Sequence, residues 1–199
     1  MSEPANSESG TGRYDKDVRA RMVTGALRLL ATKGLEGTTF GEVLEATGAP
    51  RGSVYHHFPG GKVELLHAAL DMASDRARSE MEATRGLPPA EVVGHFLVLW
   101  RILLERSQLT AGCAVVAVTV AANDEKLLNH AGAIFRSWTE LLADLFSTGG
   151  IEPGLSRQLA TTVIASTEGA VAICRAERSL QAFEYVESAL FALVERFAT

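Results

Sequence analysis

From Gly48 to Lys62 the chain reads GAPRGSVYHHFPGGK, a stretch that limits the fold more than any other because it sets a tight turn, a short helix and a second turn in fixed order. Before it stands TTFGEVLEATG, residues 38–48, in which Thr39 is placed to cap a helix start and Glu42 follows three residues later, the spacing of a capping box. A short helix over about 40–47 is predicted. Gly48 supplies its C-terminal stop, Pro50 presets the backbone for a new first turn, and the next helix is predicted from Arg51 to His57. Two short helices joined by a tight, glycine-containing turn make a helix-turn-helix. In the second of them Val54 and Phe58 are four apart and face the core, which leaves Arg51, Gly52, Ser53, Tyr55 and His56 on or near the outer surface.

Those outer residue types suit a nucleic-acid groove. An Arg reads guanine edges, Ser and Tyr hydroxyls donate to phosphate, and a Gly lets the backbone approach closely. The competing reading is a plain helical hairpin whose aromatic residues plug a core, and the flanks weigh against it. A long amphipathic helix precedes the pair, with Val18, Met22, Ala26 and Leu29 or Leu30 on one face. Another follows Pro59-Gly60-Gly61, with Lys62 in its first turn and Leu65, Leu66 and Ala69 on its inner side. A cation in the first turn opposes the helix dipole, so Lys62 asks for an anionic partner, and a phosphate is the simplest.

With these residues in place, the chain resembles the TetR family of bacterial transcriptional repressors. The resemblance runs from Ala26 to Leu70 and centres on Gly48-Ala49-Pro50-Arg51-Gly52-Ser53-Val54-Tyr55-His56-His57-Phe58, which follows the family pattern Gly-x-x-[KR]-[GA]-[ST]-[LV]-Tyr-x-His-Phe. It implies that Thr38 and Thr39 touch phosphate at the start of the family's second helix, that Arg51, Gly52 and Ser53 approach base edges, and that Tyr55, His56 and His57 hold the DNA backbone. Lys62 would take a phosphate from the start of the fourth helix. Here Phe58 and Lys62 are separated by Pro59-Gly60-Gly61, one residue more than the usual Phe-x-x-Lys.

Charge is distributed to match. Residues 13–62 carry eight Lys or Arg against five Asp or Glu, whereas residues 63–199 carry eleven against seventeen, within a chain of 199 residues and formal net charge −5. The basic part is the part with the helix-turn-helix, which favours phosphate while the acidic remainder resists non-specific adhesion. The expected organisation is a disordered tail over 1–12, a DNA-binding domain over 13–62 and a helical ligand-binding and dimerisation domain over 63–199. The start, MSEPANSESGTG, is polar and acidic, unlike a signal peptide, and the apolar run from Gly112 to Ala122 is too short to span a bilayer and reads as a buried helix. A cytoplasmic protein with no membrane association is expected.

Beyond the break at Thr84-Arg85-Gly86-Leu87-Pro88-Pro89, long helices are predicted over about 90–107, 125–147, 155–177 and 180–197, and no alternating strand pattern of convincing length occurs. The class is all-α. Val186, Leu190, Leu193 and Phe197 form a seam on the last helix, and Gly169, Ala170, Ala172 and Ala176 allow close approach on the one before it. Such a seam fits either the monomer core or a partner; the resemblance implies a homodimer through the last two helices, and two copies related by a two-fold axis would read a palindromic operator in double-stranded DNA.

The resemblance also implies a small-molecule inducer inside the C-terminal domain, whose binding moves the fourth helix and separates the two DNA-reading heads. Phe96, Trp100, Phe135 and Trp138 are candidate apolar walls, with Cys113, Thr119, Ser137, Thr162 and Glu168 as polar points. Plain core is the alternative role for these aromatics. The stretches GCAVVAVTV and EGAVAICRAERS look like the branch of the family that regulates drug-efflux or aromatic-compound genes, so a small apolar or aromatic inducer is expected. Cys113 and Cys174 lie in no Cys-x-x-Cys pair and are expected as buried free thiols.

The histidines, His56, His57, His67, His95 and His130, form no H-E-x-x-H or E-x-x-H pair, and no Gly-rich phosphate loop or nucleophile elbow is present. No enzyme activity, catalytic residue, metal or cofactor is expected. The remaining rival is a small-molecule-binding helical module of the same fold that has lost DNA binding.

Overall fold

The structure, a computed structural model, describes residues 8–197 and, for side chains, residues 17–197. Those residues form nine α-helices and no strand: α1 Glu8–Lys33, α2 Phe40–Thr47, α3 Ser53–His57, α4 Gly61–Glu82, α5 Pro89–Arg106, α6 Ala114–Ala121, α7 Glu125–Thr148, α8 Pro153–Glu177 and α9 Gln181–Glu195. α1 opens at Glu8, within the stretch read as a tail; residues 1–7 of that tail lie outside the described residues. Among the described residues no helix is long and apolar enough to cross a membrane.

The first three helices form a head against the start of α4. Val18, Met22, Ala26, Leu29 and Leu30, on one stripe of α1, are buried together with Val43 of α2, Val54 of α3 and Leu65, Leu66 and Ala69 of α4. α2 begins as the sequence dictates: Thr39 is extended at φ −101°, ψ 161°, and its hydroxyl accepts the Glu42 N–H at 3.2 Å. The reciprocal half of the capping box does not form, because the Glu42 carboxylate pairs with Lys33 of α1. Gly48 ends α2 in the left-handed conformation, φ 64°, donating its N–H to the Leu44 carbonyl at 2.9 Å.

α3 starts two residues later than predicted. The Pro50 carbonyl accepts both the Ser53 N–H at 3.0 Å and the Ser53 hydroxyl at 2.6 Å, which closes a turn through Arg51 and Gly52 and leaves five residues for the helix. Phe58 follows, fully buried, with the Arg19 guanidinium 5.2 Å from its ring centroid.

α4 to α9 form the body. α7 and α8 pack along each other, α4 lies on α7, and α9 packs on α8 and α5. Asp124 caps α7 through the Lys126 and Leu127 N–H groups, and Glu152 caps α8 through those of Gly154 and Leu155. With Glu152 as cap, Pro153 takes the first helical position, where its missing N–H costs nothing, so α8 begins two residues before the predicted start at 155. The seam on α9 turns inward: Leu190 is buried, while Val186, Leu193 and Phe197 pack partly buried on the protomer's own core. α6 is buried on one side only. Val115 and Val118 face the core, but Val120 is 78 % exposed, so the expectation of a wholly buried helix over Gly112–Ala122 does not hold. Cys113 and Cys174 are buried free thiols, as the sequence predicts.

α1 approaches α2 closely at Gly25. A Cβ built there would stand 2.4 Å from the Thr47 methyl carbon, while the Thr47 hydroxyl is held on the Val43 carbonyl at 2.7 Å. Overpacking of this kind costs about 1–3 kcal/mol, against the roughly 1 kcal/mol that Gly→Ala gains in helix propensity. Gly25→Ala is therefore expected to destabilise the wild-type head in urea denaturation, and the same change in a Thr47→Ser background, which lacks the methyl, to be neutral or stabilising. The same loss in both backgrounds would rule out the steric account.

Candidate nucleic-acid interface

The sequence places the outer residues of α3 by fixing its inner ones. With Val54 at 3 % and Phe58 at 0 % exposure locking one side of the short helix into the head, Tyr55 is left 77 % exposed, and His56 stands exposed beside it. Arg51 and Gly52 are exposed in the preceding turn, and no atom lies within 4 Å of where a Gly52 Cβ would stand, so the backbone is open to close approach there. Thr39 is exposed at the start of α2; its oxygen accepts the capping hydrogen bond, which leaves its O–H to donate outward. Arg51, Gly52, Tyr55, His56 and Thr39 thus present a cation, bare backbone, a phenol, an imidazole and a hydroxyl around one helix-turn-helix. That set can contact phosphates and base edges.

Four other candidates sit differently. Thr38 is 1 % exposed and its hydroxyl donates to the Gly34 carbonyl at 2.8 Å, so it closes the turn between α1 and α2 and is withdrawn from the surface on which phosphate contact was expected. His57 is 9 % exposed and packs edge-on against Phe58, with ring centroids 6.4 Å apart, on the inner side of α3. Ser53 is half-buried with its hydroxyl committed to Pro50. The Lys62 ammonium donates to the Leu35 carbonyl at 3.1 Å, so its partner in the protein is a carbonyl dipole beyond the end of α1. The Glu64 carboxylate takes the place at the start of α4 that an anion would fill, accepting the Gly60 N–H at 2.8 Å.

The ligand candidates divide as well. Phe96, Trp100 and Trp138 are buried and Phe135 is half-buried; Phe96 and Trp100, and likewise Phe135 and Trp138, pack edge to face within the core, so these aromatics fill space and do not line the cavity described below. Thr119 and Thr162 are exposed, each with its hydroxyl returned to its own helix, and Ser137 accepts from Arg78. Cys113 and Glu168 alone of the set line a cavity of about 440 Å³, which lies against the head: residues 32–36 form one wall, α6 another through Val116, Ala117 and Val120, and α8 a third through Val171 and Arg175. The sequence signal for this cavity was α6, whose run AVVAVTVA, apolar but for Thr119, has more apolar surface than one core face takes up.

Within the cavity wall, burial pushes the Glu168 carboxyl up to about 7, only partly offset by a hydrogen bond from the Cys113 thiol. Burial, with Glu168 adding to it, pushes that thiol well up in turn, so Cys113 stays protonated as the donor. Glu168 Oε1 is buried with no hydrogen-bond partner in the protein. Because the folded state holds the Glu168 proton more tightly than an unfolded chain does, its contribution to stability falls as pH rises from 4.5 through about 7. The full effect is up to about 3 kcal/mol. The stability difference between Glu168→Gln and wild type is therefore expected to grow in favour of the variant across that window and level off above it, as measured by urea denaturation at a series of pH values. A difference independent of pH would contradict the burial of this group.

Comparison with known proteins agrees with this geometry. Residues 23–69 match the family model for bacterial regulatory proteins of the tetR family, and residues 89–189 match that of the transcriptional regulator LmrA/YxaF-like C-terminal domain. The HTH-type transcriptional regulator Rv0196 of Mycobacterium tuberculosis is 35% identical over 180 residues, spanning 86% of this chain and 91% of its own. The HTH-type transcriptional regulator LmrA of Bacillus subtilis is 25% identical over 186 residues, spanning 90% and 98%. A solved TetR transcriptional regulator from Chloroflexus aurantiacus superposes with a TM-score of 0.77 at 27% identity, over 92% of this chain and 96% of that one. These are regulators and not enzymes. With both the helix-turn-helix and the helical body matched, the chain belongs to the TetR family of transcriptional regulators.

Proposed function

We propose that this DNA-binding regulator is a cytoplasmic repressor that holds a palindromic operator as a homodimer and leaves it when a small apolar or aromatic molecule binds the body. The observation that carries the DNA part is the contrast on α3: Tyr55 is 77 % exposed although its chain neighbour Val54 is buried, and exposed Arg51 and His56 accompany it. A phenol held outward by a locked helix, with a cation one turn before it, is what backbone positioning and base reading require.

The dimer would use the outward faces of α8 and α9, since the inward seam is occupied by the protomer's own core. On α8 these faces carry exposed Ala165, Gly169, Ile173 and Ala176, and on α9 exposed Tyr185 and Ala192, a small and apolar surface suited to close helix packing. Two heads related by a two-fold axis gain specificity that one five-residue helix lacks. A drug-efflux or aromatic-compound regulon would fit a cavity of apolar lining with few polar points.

Fluorescence anisotropy on an operator selected by the protein from genomic fragments tests the reading, with random DNA as competitor and salt as the second variable. Specific binding should weaken steeply as salt rises, because each neutralised phosphate releases counterions, whereas a ligand-binding module without DNA function would show no sequence preference. Tyr55→Ala is expected to lower operator affinity at least about tenfold, or about 1.4 kcal/mol, without changing thermal stability, since the side chain touches little of the head. Arg51→Ala is expected to relax base preference at one position of each half-site by about 1–3 kcal/mol; a uniform loss over all sequences would assign Arg51 to phosphate.

A further inference from the structure

We propose that the cavity enclosed by the end of α1, α6 and α8 is the effector site, and that it takes a lipophilic amine whose ammonium pairs with Glu168. This rests on reading the chain as a ligand-responsive regulator, and it sets the ligand's place and chemistry apart from the aromatic core, which is already filled. The cavity, about 440 Å³, is of the size that holds a drug-like molecule. Its apolar walls are Val116, Ala117 and Val171, with exposed Val120 at the rim, and they accept an apolar body.

The polar groups decide the sign of the ligand. Lys33 lines the cavity but is paired with Glu42, and the Arg175 guanidinium lies against Gly112 and reaches the Thr32 carbonyl at 3.4 Å. The Cys113 thiol offsets the upward shift of the Glu168 carboxyl only in part and makes no hydrogen bond to its Oε1. What stays unmatched inside is an acceptor, Glu168 Oε1. A buried acceptor without a partner is costly, and a cationic donor satisfies it best, since a charge-assisted hydrogen bond in an apolar site is stronger than a neutral one. An acid would leave that acceptor unmatched, since no buried side-chain donor among the lining residues lacks a partner.

The position of the cavity supplies the route to DNA. Residues 32–36 form its wall on the head side, and the end of α1 that leads into them is fastened to the body by two bonds at the cavity's edge, the Gly112 N–H on the Ala31 carbonyl at 2.8 Å and Arg175 on the Thr32 carbonyl. A ligand that wedges between Glu168 and residues 32–36 works directly against those bonds and changes how the head sits on the body. The amine then shifts the equilibrium away from the operator-bound arrangement by as much as it prefers the displaced one.

The test uses one skeleton with three head groups, phenylbutylamine, phenylbutanol and phenylbutyrate, together with the larger pair imipramine and iminodibenzyl, titrated calorimetrically into the full chain without DNA. The amines are expected to bind at least about tenfold more tightly than their neutral partners, and phenylbutyrate most weakly. Glu168→Gln, which keeps the shape, should erase that preference while leaving alcohol binding intact; Ala117→Trp, which fills the space, should abolish binding of both. Equal affinity for alcohol or acid, a preference that survives Glu168→Gln, or no amine binding at all would overturn the assignment. Operator release is read separately: Glu168-dependent amine binding that leaves DNA affinity unchanged upholds the site and refutes ligand-controlled release, whereas operator release by other compounds with no Glu168-dependent binding does the reverse.

Discussion

The carbonyls at the C-terminal end of α1 are the joint on which the molecule turns. A helix leaves its last carbonyls without partners of its own, and here they are taken up by tertiary donors: the Ala31 carbonyl by the Gly112 N–H before α6 and the Thr32 carbonyl by Arg175 of α8. Just beyond the helix the Leu35 carbonyl takes the Lys62 ammonium of α4. Three elements that are distant in sequence converge on one helix end, so the head cannot change its attitude to the body without breaking hydrogen bonds. With the packing of α1 on α4 and of α4 on α7, this joint fixes the direction in which the DNA face of α3 is presented.

From that joint the division of labour follows. On the head side, buried Val54 and Phe58 make α3 a rigid platform, and its exposed residues carry the recognition chemistry. On the body side, the aromatic residues of α5 and α7 close-pack, and the unfilled space falls where helix packing is interrupted, between a short apolar α6, the middle of α8 and the turn after α1. Space left beside a load path is well placed for control, because a ligand there acts on the hydrogen bonds that transmit position, whereas one in the aromatic core would have to displace well-packed side chains.

Much of this was legible in the sequence, and the reasons are local. Thr39, Gly48 and Pro50 act through their own backbone, so the limits of α2 and the turn after it could be read from residue type alone, and the periodicity of α1 and α4 identified their buried faces. What could not be read depended on partners far along the chain. Thr38 and Thr39 are the same residue in adjacent positions, yet one closes a turn inside and the other caps a helix outside. Lys62 opposes the dipole of α4, a correct sign of a special partner, but the partner is the Leu35 carbonyl. The stripe through Leu190 has helical spacing that fits a partner helix or its own core equally well; packing buries Leu190 in the core and leaves Val186, Leu193 and Phe197 partly exposed. Cys113 and Glu168 were two of five polar points with nothing in the sequence to set them apart from Thr119, Ser137 and Thr162, and the aromatic residues named beside them line no part of the cavity.

The central claim, that the outer face of α3 in a two-fold dimer reads operator DNA, is tested most directly by a nuclease footprint of the wild-type protein on the DNA beside its own gene, in excess random competitor. Two protected half-sites related by a dyad, with their centres about one helical turn apart or a multiple of it, are the predicted result. Protection of one unsymmetric site, or none in preference to random DNA here and in fragments selected from the whole genome, would contradict it.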